Sequence, residues 1–162
     1  MEIKKVVVAG GGVLGSQIAF QAAYCGFDVT IWLRSESSKT RTQPKLDQLK
    51  VDYNNTIDGM VAGKVWAAGI ADSENFDAKE CKAKVEKAYA SVKLETSLAE
   101  AVKGADLVIE SMAEITDQKI EFYKAMAPLL EEKTVVVTNS STLLPSTFAK
   151  YTGRPEKYLS LH

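Results

Sequence analysis

The chain has 162 residues, 20 of them Lys or Arg and 21 Asp or Glu, for a formal net charge of −1 with its one histidine neutral. That length holds one ordinary domain with a sizeable core, and a near-neutral charge without a basic stripe argues against a nucleic-acid partner. No apolar run reaches the length of a secretion signal or a membrane span. Cys25 and Cys81 lack metal-ligand spacing, so reduced core cysteines in a cytoplasmic protein are expected.

The chain opens with Lys4-Lys5-Val6-Val7-Val8-Ala9, a short β-branched run, and then Gly10-Gly11-Gly12-Val13-Leu14-Gly15. The glycines spell G-x-G-x-x-G between a predicted strand and a predicted helix over 16–24, the order of a dinucleotide-binding βαβ unit. Gly10 permits a turn that a Cβ would obstruct, Gly12 admits a pyrophosphate, and Gly15 lets helix and strand pack closely. The helix start adds free N–H groups and partial positive charge. Gly10, Gly12, Val13, Leu14 and Gly15 are therefore cofactor-binding candidates. Cys25-Gly26 closes the helix with a glycine suited to a left-handed cap, and a second strand is predicted over 29–33.

An NAD-binding unit usually carries an acid at the end of this strand to accept from the ribose 2′-hydroxyl. Here that place falls on Leu33, followed by Arg34 and Ser35. An arginine with hydroxyls suits a 2′-phosphate, so these residues lean towards NADP. The polar stretch 34–41 reads as a loop, and Pro44 suits the first turn of the helix beyond it. Leu46, Leu49, Tyr53, Ile57 and Met60 form an apolar stripe at three- and four-residue spacing. A second helix is predicted from Asp77, with Glu80 as reciprocal cap and Phe76 and Cys81 as a hydrophobic staple. This long helical excursion has two open uses, core packing or a contact surface for a bulky substrate.

Alternation of strand and helix then resumes. Strands are predicted over 91–94, 105–110, 134–138 and 158–161. Between them fall a short helix capped by Ser97 and Glu100, a helix over 116–130 interrupted by Pro128, and a helix over 145–150. The pattern predicts an α/β fold, a Rossmann-type doubly wound parallel sheet with a helical excursion after strand two, forming one dinucleotide-binding domain over 1–162.

Three stretches together resemble the NAD-binding domain of the L-3-hydroxyacyl-CoA dehydrogenase family. They are the glycine turn, Ala105-Asp106-Leu107-Val108-Ile109-Glu110-Ser111-Met112-Ala113-Glu114 with Lys119 five residues later, and Thr138-Asn139-Ser140-Ser141-Thr142-Leu143 through to Leu161-His162. The resemblance implies that His162 is the catalytic base and that Ser141 orients the substrate oxygen. A histidine suits the task because its ordinary pKa is about 6.5. Asn139 stands beside Ser141 as a support for the loop and the substrate. Glu114 and Lys119 match positions on the nicotinamide-ribose side of the cofactor. The family default is NAD, its substrate an acyl-CoA, and its homodimer forms through a helical C-terminal domain that these residues do not include. Glu114, Ser141 and His162 each follow a predicted strand closely, so one edge of the sheet should gather them. Two alternatives stay open: a non-catalytic dinucleotide-binding module, or a related hydroxy-acid or sugar-acid dehydrogenase.

Overall fold

A computed structural model describes residues 2–161. Six parallel strands form one sheet in the order β3-β2-β1-β4-β5-β6. They are β1 (Lys5–Ala9), β2 (Asp28–Trp32), β3 (Lys93–Glu95), β4 (Leu107–Glu110), β5 (Val135–Thr138) and β6 (Tyr158–Ser160). The helices are α1 (Val13–Tyr24), α2 (Glu36–Val61), α3 (Ala78–Ser91), α4 (Leu98–Val102), α5 (Thr116–Met126) and α6 (Pro145–Ala149). This is the doubly wound Rossmann order, with its switch point between β1 and β4. Val7 of β1 is in register with Thr30 on one side and Val108 on the other.

β1 reads as a continuous apolar run because helices cover both faces of the sheet. Val6 and Val8 pack with Phe20 and Tyr24 of α1 and with Leu46, Ile57 and Val85 of the excursion. Val7 and Ala9 face the other layer, with Phe122, Tyr123, Met126 and Phe148. The stripe read along α2 is therefore core: Leu46, Ile57 and Met60 are buried, and Leu49 and Tyr53 pack against the cluster that holds Leu46 and Ile57. Among the described residues, no helix is long and apolar enough to cross a membrane.

Local signals hold in several places. Gly26 takes φ +96° after α1. Asp77 accepts from the Glu80 N–H at 2.9 Å, with Phe76 and Cys81 packed in one cluster. Glu80 does not reach back to complete the cap but pairs with Lys84. Ser97 likewise accepts from the Glu100 N–H, while its own N–H goes to Glu95 rather than to Glu100. Pro128 ends α5 early, in a 3₁₀ turn at Ala127–Leu129.

Three expectations are corrected. The stretch after β2 is helix from Glu36, so Pro44 lies inside α2 and not in its first turn. Serines favour turns because their hydroxyls compete with backbone hydrogen bonding. Here packing overrides that preference, since Thr42 and Leu46 are buried, and Thr42 Oγ1 donates to the Gly11 carbonyl at 3.2 Å. Strand three begins at Lys93 because α3 runs through Ser91. Cys81 is buried as expected, but Cys25 caps α1 and is exposed.

Candidate functional site

The carboxyl ends of β1, β2, β4 and β5 meet in two adjoining clefts. The first encloses about 500 Å³ and runs from Gly10, Gly11 and Gly12 past Leu33 to Arg34 and Ser35. The second encloses about 420 Å³, between Gly12, Val13, Leu14 and Gly15 on one side and Glu114, Asn139 and Ser141 on the other. Gly12, Ser111, Met112 and Ala113 line both. Ligands of open α/β sheets bind outside the strand carboxyl ends at the switch point, which is where these clefts lie.

Backbone geometry shapes the wall. Gly10 has φ +118°, and a Cβ there would sit 2.5 Å from the Ser111 carbonyl oxygen. A Cβ on Gly15 would overlap the Gly10 carbonyl, so α1 starts against the turn only because that position is bare. A Cβ on Gly12 would meet nothing within 4 Å, so its surface is open to a ligand. Helix α1 begins at Val13, three residues before the expected start, with Gly12 as its extended N-cap. The N–H groups of Val13, Leu14 and Gly15 have no intrahelical acceptors and face the anion-favouring end of the dipole. The cradle fits a dinucleotide pyrophosphate.

At the far end of the first cleft, Leu33 is buried and offers no hydrogen bond to a ribose. Arg34 is exposed there, and its guanidinium donates to Gln118 Oε1 at 2.7 Å. Ser35 caps α2, its hydroxyl bonded to those of Ser37 and Ser38.

The second cleft rests on a buried charge network that sequence reading did not find. Glu110, at the end of β4, has no exposed surface and accepts from Lys119 Nζ at 2.7 and 2.8 Å. It also accepts from the Met112 N–H, the Tyr123 hydroxyl and Thr138 Oγ1. Burial, then the neighbouring Glu110 charge, pushes the Tyr123 phenol far up, so it stays a neutral donor. Lys119 is itself wholly buried, and its third contact is Glu114 Oε1 at 3.2 Å. It sits one layer behind the cleft wall. Glu114 faces the cleft and accepts from Ser140 Oγ at 2.5 Å and Thr142 Oγ1 at 2.8 Å. Partial burial opposes its ionisation, but the bonds from Ser140, Thr142 and Lys119 together outweigh that and hold its carboxyl below the ordinary range.

Of the other residues singled out in the sequence, Ser141 is exposed, and its hydroxyl makes no hydrogen bond among the described residues. Asn139 donates from its side chain to the Leu161 carbonyl at 3.2 Å, and Leu161 N–H donates to Thr138 at 2.9 Å. These bonds bring the last described residue to the edge that carries Asn139 and Ser141. His162 lies outside the described residues.

Residues 5–162 match the family described as 3-hydroxyacyl-CoA dehydrogenase, NAD binding domain. The chain belongs to the 3-hydroxyacyl-CoA dehydrogenase NAD-binding-domain family. It is 29% identical to a 3-hydroxybutyryl-CoA dehydrogenase of Clostridioides difficile over 158 residues, 98% of this chain and 48% of that protein. The 3-hydroxybutyryl-CoA dehydrogenase of Bradyrhizobium diazoefficiens is 30% identical over 161 residues, 99% of this chain and 47% of that protein. A solved diketoreductase, described for dual catalysis of dicarbonyl compounds, superposes with a TM-score of 0.82 at 38% identity, covering 100% of this chain and 50% of that one. The chain thus spans about half the length of the relatives it matches. For this family domain a nicotinamide dinucleotide is the cofactor.

Proposed function

We propose that this chain is the cofactor-binding half of a nicotinamide-dependent dehydrogenase that interconverts 3-hydroxyacyl-CoA and 3-oxoacyl-CoA. One observation carries the reading: Gly12 and Ser111–Ala113 wall a cleft that holds the glycine turn at one end and Glu114, Asn139 and Ser141 at the other. The bound nicotinamide supplies a hydride acceptor. His162 takes the proton of the 3-hydroxyl at its neutral imidazole, a base matched to neutral pH. Ser141, with its hydroxyl free of partners among the described residues, orients the substrate oxygen. Asn139 holds the terminal segment beside it. Glu114 contacts the nicotinamide-ribose side, and Lys119 acts through Glu114 from behind. Arg34 and Ser35, in place of the usual acid, favour the 2′-phosphorylated cofactor.

In this reading a helical second domain closes over the acyl-CoA and forms the homodimer, so the chain alone binds dinucleotide and turns over little. Substitution of His162 or Ser141 by alanine in the two-domain enzyme should lower turnover by about 10²–10⁴-fold for the base, with less effect on cofactor binding. Cofactor binding with a parent-enzyme rate that neither substitution changes would mean that these residues carry no chemistry and leave this domain a non-catalytic dinucleotide-binding module. The 38% identity to a diketoreductase favours a second substrate reading, in which a small dicarbonyl compound replaces the CoA thioester. Parallel assays with 3-oxobutyryl-CoA and a dicarbonyl compound that lacks coenzyme A separate the two.

A further inference from the structure

The first cleft has a feature that the reading of Arg34 and Ser35 does not contain. Helix α2 carries Ser38, Arg41, Thr42 and Lys45 at three- and four-residue spacing, and all four line the cleft beside Arg34. Arg41 donates to Ser38 Oγ at 2.9 Å, and Lys45 Nζ to the Arg41 carbonyl at 2.6 Å. None of Arg34, Arg41 and Lys45 is ion-paired among the described residues. Glu36, the acid of the first turn of α2, is engaged by Thr96 and Lys39 instead. Three unneutralised cations therefore share one recess on a chain of net charge −1. Cations that line one recess with no acidic partner favour an anion there.

Their distance from the glycine turn is fixed. Thr42 is buried and bonded to the Gly11 carbonyl, and a Cβ on Gly11 would run into Thr42 and Leu33. Helix α2 is thus docked on the turn, and its cations stand at a set offset from any pyrophosphate held there.

We propose that Arg41 and Lys45, with Arg34 and the Ser35 and Ser38 hydroxyls, form a phosphomonoester site that selects NADP(H) over NAD(H) through its 2′-phosphate. The inference rests on the reading of the glycine turn as a dinucleotide site. Arg41 and Lys45 belong to this site because α2, which starts at Glu36, sets both in the lining of the cleft. Coenzyme A also carries a phosphomonoester on the ribose of an adenosine, at the 3′ position. Continuity of the recess with Gly10–Gly12 favours the dinucleotide.

The test is calorimetric titration of this chain with NADPH, NADH, adenosine 2′-phosphate and coenzyme A, repeated for Arg41→Ala, Lys45→Ala and the double variant. One hydrogen bond to a charged group discriminates by about tenfold or more. NADPH should therefore bind at least about tenfold more tightly than NADH. That ratio should collapse towards one in the double variant, and in the wild type it should fall with added salt. Adenosine 2′-phosphate should compete with NADPH. Equal binding of the two cofactors, tighter NADH, or a ratio untouched by the double variant overturns the inference and leaves the dinucleotide reading standing. Coenzyme A bound in preference, with its affinity lost in the double variant, overturns it in favour of a substrate phosphate site. Binding of neither NADPH nor NADH overturns the dinucleotide reading and this inference with it.

Discussion

In Gly15→Ala the new methyl group overlaps the Gly10 carbonyl, a backbone atom held in the turn, whereas in Gly12→Ala it meets no atom within 4 Å. Overpacking costs about 1–3 kcal/mol, towards the upper end where backbone is the obstacle. A domain of this size shifts its Tm by about 2–4 °C per kcal/mol, so Gly15→Ala should melt roughly 5–12 °C below wild type. Gly12→Ala loses only a glycine N-cap with φ −69°, which alanine adopts freely. Its cost is about 1 kcal/mol or less. A cofactor present at about 100 times its Kd adds about 2.7 kcal/mol to the wild type, a rise of roughly 5–11 °C. In Gly12→Ala that rise should vanish, because the methyl group stands where the phosphates approach. Circular-dichroism melts of both variants, with and without NADPH and NADH, read both effects. The reasoning fails if Gly15→Ala melts with the wild type, or if Gly12→Ala keeps the full cofactor-induced rise.

The buried Glu110–Lys119 pair predicts that Lys119→Met, which strands a carboxylate beneath the cleft, costs about 3–5 kcal/mol in urea denaturation. Adding Glu110→Gln should recover part of that loss, and a cost below about 1 kcal/mol would deny the pair its role. Asp106 accepts from Lys133 Nζ at 2.7 Å and from the Lys5 and Lys4 N–H groups, each at 2.9 Å. These bonds hold its carboxyl well below the ordinary carboxylate range. Its folded pKa lies under its unfolded value of about 3.9. Its stabilisation is therefore complete above the unfolded value and is lost as pH falls towards the folded one. Asp106→Asn should lower the Tm at pH about 7 and flatten the acid limb of a Tm–pH profile below about 4. An unchanged acid limb would contradict the assignment.

The unit β1–turn–α1 was legible because its signals agree locally: β-branched strand residues, glycines where a turn and two close approaches need them, and an amphipathic helix. That the sheet is parallel and doubly wound followed from the alternation of elements. What escaped was decided by tertiary contact. The serines after β2 carry turn propensity, and only burial of Thr42 and Leu46 against the glycine turn makes the segment helical. That error placed Arg41 in a loop and so hid its four-residue spacing to Lys45, which puts the two on one side only of a continuous helix. The resemblance puts Lys119 on the cofactor side of the site, and nothing in the local pattern says that Glu110, nine residues earlier, turns its carboxylate inward and holds the lysine behind the cleft wall. The neighbouring serines divide their work in a way spacing cannot specify: both line the cleft, but Ser140 is buried and bonded to Glu114, while Ser141 is exposed.

The most direct test of the central claim is a hydride-transfer assay on the enzyme that joins this domain to the family's helical domain, following nicotinamide absorbance with 3-hydroxybutyryl-CoA and NADP+ or NAD+. The account predicts reduced cofactor formed at a rate that His162→Ala lowers by about 10²–10⁴-fold, with cofactor affinity retained. Cofactor binding without reduction by any 3-hydroxyacyl-CoA, or a His162→Ala rate equal to wild type, would contradict it.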